Sequence, residues 1–165
     1  RVYQYSLSTA FNVSTASYDS VSFSVAAQDT APYGLAFKSD GTKMYVVGFS
    51  SDSVHQYSIS TAFDISTASY DSVSFSVASQ NTVPVEVAFS NDGTKMFMVS
   101  SAGVVYQYSL STAFDISTAS YDSVSFSIAA QEVFPSGLAF KSDGTNMYVI
   151  GTSGDAVFQY STAGT

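Results

Sequence analysis

The chain of 165 residues has no cysteine, a single histidine and only five basic side chains. Without cysteine there is neither a disulfide framework nor a thiolate metal site, although that absence does not fix a compartment. Five bases against 13 acids leave a net charge of −8. The basic footprint that nucleic acid requires is missing, and an anionic membrane surface is disfavoured for the same reason. No run of about 18 apolar residues occurs, so membrane insertion is not expected. Charged residues make up only 11% of the chain. Ser and Thr supply the polarity instead, which suits strands and turns better than helix interiors. The chain opens with Arg1 where an initiator Met would stand, so it is expected to be a mature, trimmed or excerpted segment of something longer.

What is present is repetition. The stretch Gly34-Leu-Ala-Phe-Lys-Ser-Asp-Gly-Thr-Lys-Met-Tyr-Val-Val-Gly48 returns with few changes at 86–100 and 137–151. The tetrad Tyr3-Gln-Tyr-Ser6 returns as His55-Gln-Tyr-Ser58, Tyr106-Gln-Tyr-Ser109 and Phe158-Gln-Tyr-Ser161. A constant step of this size marks a modular fold, with repeats of approximately 2–53, 54–104 and 105–156 and a fourth copy starting at 157–165. Each module reads as four strands. The first is Leu35–Lys38 and the second Met44–Gly48, apolar on both faces and so expected between two layers. Asp40-Gly41 between them is a hairpin signal, because Gly accepts positive φ cheaply. The third is Val54–Ile59. The fourth is Val73–Val77, reached through an ordered loop at 60–72 and alternating with one wet face.

These patterns predict an all-β fold of three four-stranded antiparallel propeller blades, each 51 or 52 residues long. A parallel β-helix is the rival, and the Asp-Gly hairpins count against it. A blade cannot cover its own faces, so the ring is expected to be completed by further blades of a longer chain or by oligomerisation. The run Pro32-x-Gly-Leu-Ala-Phe-x-x-Asp-Gly-Thr-Lys-Met-Tyr-Val47, followed by Val-x-Gln-Tyr, resembles the YVTN type of β-propeller repeat. That resemblance implies surface-layer or secreted bacterial or archaeal proteins, and similar propellers carry lactonase chemistry. The ligands such chemistry would need have no evident counterpart here.

Candidate site residues are few. His55 stands where other modules have Tyr or Phe and reads as a packed imidazole. Asp40, Asp92 and Asp143 read as turn residues, not calcium ligands. Asp19, Asp71 and Asp122 read as turn formers ahead of the fourth strand. Glu86 replaces the glycine of the sister modules beside an inner face. The copies vary most around Tyr33, Phe49, Val85, Glu86, Ser136 and Thr152, which are the candidate binding-loop positions. The recurring Phe11, Phe63, Phe114 and Tyr18, Tyr70, Tyr121 read as packing. Asn12-Val-Ser14 is a formal glycosylation acceptor. No phosphate loop, Ser-His-Asp set or paired-carboxylate cleft is visible in the sequence. No catalytic residue, metal or cofactor is therefore expected. The expectation is a non-enzymatic extracellular or cell-surface structural or adhesive protein that assembles with itself as a homo-oligomer or filament. A glycan- or small-molecule-binding propeller and a designed symmetric repeat protein are the alternatives.

Overall fold

The computed structural model describes residues 1–162. Its strands are β1 (Val2–Leu7), β2 (Ala16–Phe23), β3 (Pro32–Phe37), β4 (Lys43–Gly48), β5 (Ser53–Ile59), β6 (Ala68–Ser76) and β7 (Pro84–Phe89). They continue with β8 (Lys95–Ser100), β9 (Val104–Leu110), β10 (Ala119–Ser127), β11 (Pro135–Phe140), β12 (Asn146–Gly151) and β13 (Val157–Ser161). Every pairing is antiparallel between sequence neighbours, giving sheets β1-β2, β3-β4-β5-β6, β7-β8-β9-β10 and β11-β12-β13. The sheets are stacked blades, with the inner strands β3, β7 and β11 side by side.

The doubly apolar second strand explains the stacking. Along β4, Met44 and Val46 join a core shared with the β1-β2 sheet, whereas Tyr45 and Val47 join a core shared with the next blade. The following blade repeats this alternation, with Met96 and Met98 facing back and Val99, with Phe97 packed beside it, facing forward. Successive side chains of one strand thus close two interfaces.

The Asp-Gly turns form as the sequence predicts. Gly41, Gly93 and Gly144 all sit near φ +72°, a conformation that costs a residue with a Cβ about 1–2 kcal/mol. At Gly93 a Cβ would also lie 2.2 Å from the Phe114 ring. Asp40 accepts from Thr42 N and Oγ1 and pairs with Lys38 at 2.7 Å.

The fourth strand departs from expectation. It begins at Ala68, inside the segment read as loop, after a 3-10 turn at Ile65–Thr67 capped by Asp64. The alternation is broken by a bulge, which hides the strand from a period-two reading: Tyr57 pairs with Tyr70 but Gln56 pairs with Val73. Asp71 and Ser72 are the extra residues, and Ser72 takes φ 58°. Asp71 is therefore not a turn former ahead of a strand. It folds back across the sheet and accepts from Ser58 N at 3.0 Å, Gln56 Nε2 at 2.8 Å and Lys43 Nζ at 3.1 Å. Asp122 and Asp19 occupy the same bulge in their modules, Asp122 with Gln107 and Lys95, Asp19 with Gln4 and Ser6 N.

That glutamine also stitches neighbouring blades together. Gln56 Oε1 accepts from the N–H of Ile116, in the 3-10 turn Ile116–Thr118 of the next blade, at 3.1 Å. Gln4 does the same for Ile65 at 3.0 Å. Ile65 and Ile116 are almost fully buried at these joints.

Candidate functional site

The inner strands meet where the modules differ. Gly34 on β3 and Gly137 on β11 flank the equivalent Glu86 on β7. A Cβ on Gly34 would lie 2.7 Å from Glu86 Oε1, so the missing side chain makes room for the carboxyl. Glu86 and Gly137 line an open cleft of about 320 Å³ with Leu138, Tyr148, Ile150 and Val157. Burial pushes the Glu86 carboxyl above the ordinary glutamate range. The N–H groups of Val87 and Leu35 act in the opposite sense by donating to it. The arrangement is a half-buried carboxyl at the inner edge of the blades.

A second constellation lies among the loops that enter the inner strands. Asp29 accepts from Ala31 N at 2.6 Å, Ser51 N at 2.8 Å and Ser51 Oγ at 2.6 Å. Ser51 Oγ is 2.9 Å from His55 Nε2. Residues 22 and 26 positions apart thus bring Asp, Ser and His together, which the sequence reading did not foresee. Their order is not that of a nucleophilic relay. The single Ser51 proton goes to Asp29, so the His55 ring donates from Nε2 and leaves Nδ1 without a partner among the described residues. Hydrogen bonds hold the Asp29 carboxyl below its usual range and burial pushes the His55 imidazole down, so neither is set to take the serine proton. The trio clamps one loop to the next. Glu132 clamps the last blade in the same way, accepting from the Ser153 hydroxyl and from Phe134 N, Ser153 N and Gly154 N, and against the effect of burial those bonds hold it down to about 2. Asp29 and Glu132 were missed in sequence, although Gln28-Asp29, Gln80-Asn81 and Gln131-Glu132 keep the module step.

The remaining candidate positions scatter. Tyr33 and Phe49 are exposed and pack edge to face at 6.5 Å. Val85 packs against the core between the last two blades, whereas Ser136 and Thr152 are exposed. Phe63 and Phe114 lean on Phe37 and Phe89, both at 5.9 Å. Asn12 Oδ1 caps its 3-10 turn by accepting from Ser14 N. Among the described residues no three His, Asp or Glu side chains converge as a metal group. No described helix is long and apolar enough to cross a membrane.

No protein-family model matches the sequence, and no curated protein does. Solved structures do. A protein from Bacteroides uniformis provisionally named a 6-phosphogluconolactonase superposes with TM-score 0.59 at 16% identity, over 92% of this chain and 44% of its own. The β-propeller domain of Swd1 from Myceliophteria thermophila gives 0.53 at 9% identity, over 79% of this chain and 39% of its own. The chain is built of β-propeller blades. The periplasmic gluconolactonase of Pseudomonas aeruginosa gives 0.54 at 14% identity, over 81% and 42%. The chain spans less than half the length of each of these structures.

The expectation of a non-enzymatic structural or adhesive role is overturned by this comparison, because two of the three bear lactonase names. The identity of the modules is greatest at 60–76 and 111–127, in the outer strand and the segment leading to it. It says nothing against chemistry at the positions where the modules differ, Glu86 foremost.

Proposed function

We propose that the chain is part of a propeller that hydrolyses an uncharged sugar lactone at the inner edge of its blades, with Glu86 as the acid–base group. The observation that carries this reading is the half-buried carboxyl raised by burial at the one inner-strand position where a module exchanges glycine for an acid. The lactonase names of two similar structures support the reaction class. Charge selects within it: a phosphorylated lactone is a dianion, and a chain of net charge −8 would repel it. The neutral lactone of the second name suits this surface better.

In the reaction the ionised Glu86 takes a proton from water as the water oxygen attacks the lactone carbonyl carbon. The ring C–O bond then breaks, and the proton passes to the departing alkoxide, giving the hydroxy acid. Membership of the YVTN repeat class and a location outside the cytoplasm belong to the same proposal. The Pro-x-Gly-Leu-Ala-Phe-x-x-Asp-Gly-Thr run and the periplasmic location in one similar structure's name support them.

The test is turnover of δ-gluconolactone and its 6-phosphate ester by the wild-type chain and by Glu86→Gln. The expected result is preference for the neutral lactone and a fall of about 10²–10⁴-fold in kcat for the variant. Absence of wild-type turnover, or equal rates in the two proteins, would overturn the proposal.

A further inference from the structure

The turns that lead into the outer strands share one geometry and differ in one atom. At Val13–Thr15, Ile65–Thr67 and Ile116–Thr118 a 3-10 turn follows a capping residue, which is Asn12 in the first module and Asp64 or Asp115 in the others. Asn12 Oδ1 accepts from Ser14 N at 3.1 Å and from the Ser14 hydroxyl at 2.7 Å. Asp64 Oδ1 accepts from Ser66 N at 3.0 Å and the Ser66 hydroxyl at 2.6 Å. Asp115 Oδ1 accepts from Ser117 N at 3.0 Å and the Ser117 hydroxyl at 2.7 Å. The cap is therefore indifferent to the exchange of Asp for Asn. What the exchange alters is the second terminal atom, an amide nitrogen in place of a carboxylate oxygen.

That nitrogen is free. Asn12 is exposed, and its Nδ2 donates no hydrogen bond among the described residues. The openness belongs to the turn itself and holds where a blade is packed behind it. Ile65 and Ile116, in the sister turns, are buried against the preceding sheet. Even there Asp64 Oδ2 and Asp115 Oδ2 are neither hydrogen-bonded nor buried, and Ser66 and Ser117 are exposed. A neighbouring blade thus closes over the isoleucine and leaves the capping side open. Phe63 N donates to Gly41 O at 3.0 Å and Phe114 N to Gly93 O at 2.9 Å, so these turns lie at the Asp-Gly hairpin end of the blades. The clamp of Asp29 and Ser51 lies at the other end of β3 and β4, and Glu86 lies on an inner strand.

We infer that Asn12 is the acceptor for an N-linked glycan, carried by this turn and not by its sisters. Asn12-Val13-Ser14 meets the Asn-x-Ser requirement, whereas Asn81, Asn91 and Asn146 have no Ser or Thr two residues on. The donor is an oligosaccharide on a polyprenyl diphosphate, brought by a membrane transferase. Asn12 Nδ2 bonds to the sugar C1 as the C1–O bond to the diphosphate breaks. The diphosphate leaves on its lipid, and one Nδ2 proton passes to a base of the transferase. Oδ1 is untouched and keeps both bonds from Ser14, so turn and glycan coexist. Asp64 and Asp115 offer no nitrogen to the same donor. The inference rests on the location outside the cytoplasm proposed above and is independent of lactone hydrolysis.

The test is the intact mass of the chain secreted from a eukaryotic host behind the host's own signal peptide, before and after treatment with peptide-N-glycosidase. The wild type is expected to carry one oligosaccharide, which the glycosidase removes. Asn12→Gln and Ser14→Ala are expected to carry none, and Ser14→Thr to keep it. Asp64→Asn makes the same triplet in a turn with a blade behind it, and is expected to carry two glycans with an unchanged circular dichroism spectrum. An unmodified wild-type chain would overturn the inference, as would a glycan that survives in Asn12→Gln. So would a single glycan on Asp64→Asn, since a packed blade would then close the turn. The host supplies the export and no mass depends on turnover, so failure here is read separately from failure of the proposed location or of hydrolysis.

Discussion

Removing the glutamine amide at a joint between blades has a cost that the repeat itself allows to be dissected. In Gln56→Ala the N–H of Ile116, a residue with no exposed surface, loses its acceptor. A buried donor left unpaired costs about 1–3 kcal/mol. Asp71 loses one donor in the same variant but keeps Ser58 N and Lys43, and it is partly open to solvent, so that part adds about 1 kcal/mol. The total is about 2–4 kcal/mol. Gln107→Ala is the built-in control, because Gln107 bonds Asp122 as Gln56 bonds Asp71 but among the described residues holds no N–H of a following blade. It is expected to cost about 1 kcal/mol. Urea unfolding of both variants measures the difference. Equal losses would refute the claim that the glutamine carbonyl carries the inter-blade bond.

Two further outcomes follow from single positions. Burial favours neutral His55 over its ordinary value of 6.5, so the unfolded chain binds the extra proton. Stability is complete above pH 6.5 and is lost as pH falls through the window below it. Urea midpoints at pH 5 and 7.5 should diverge in the wild type and draw together in His55→Tyr, in which Glu86 and every aspartate are retained. A separate pair of variants compares two glycines of near-equal φ. Gly144→Ala, with open space at its Cβ position, should lose about 1 kcal/mol from the backbone alone. Gly93→Ala also meets the Phe114 ring and should lose a further 1–3 kcal/mol or so, read as a difference in urea midpoints.

The sequence disclosed the blade because its signals are local and repeated. Asp40-Gly41 demands a hairpin, and an apolar β4 demands two neighbours. What it concealed was produced by breaks in period. The bulge at Asp71 and Ser72 interrupts the ladder midway along β6 and moves burial from one face, Ala68 and Tyr70, to the other, Val73 and Phe75, so its first half reads as loop and its carboxylate as a turn residue. The clamp of Asp29, Ser51 and His55 joins separate loops through bonds that no spacing rule specifies. Glu86 was legible as a difference between copies. Its raised pKa was not, because burial there depends on the neighbouring β3 and β11. The inference from regular modules to a purely structural role failed for a related reason: regularity reports the packing of the blades and leaves their inner edge free.

The Glu86 carboxyl is the point on which the functional account turns, and the chain has only two glutamates. With glutamate carboxyls labelled with carbon-13, an NMR titration gives two resonances, assigned by Glu86→Gln. The account expects the Glu132 signal to titrate near pH 2 and the Glu86 signal to titrate above the ordinary 4.5. A Glu86 signal titrating at or below 4.5 would contradict it.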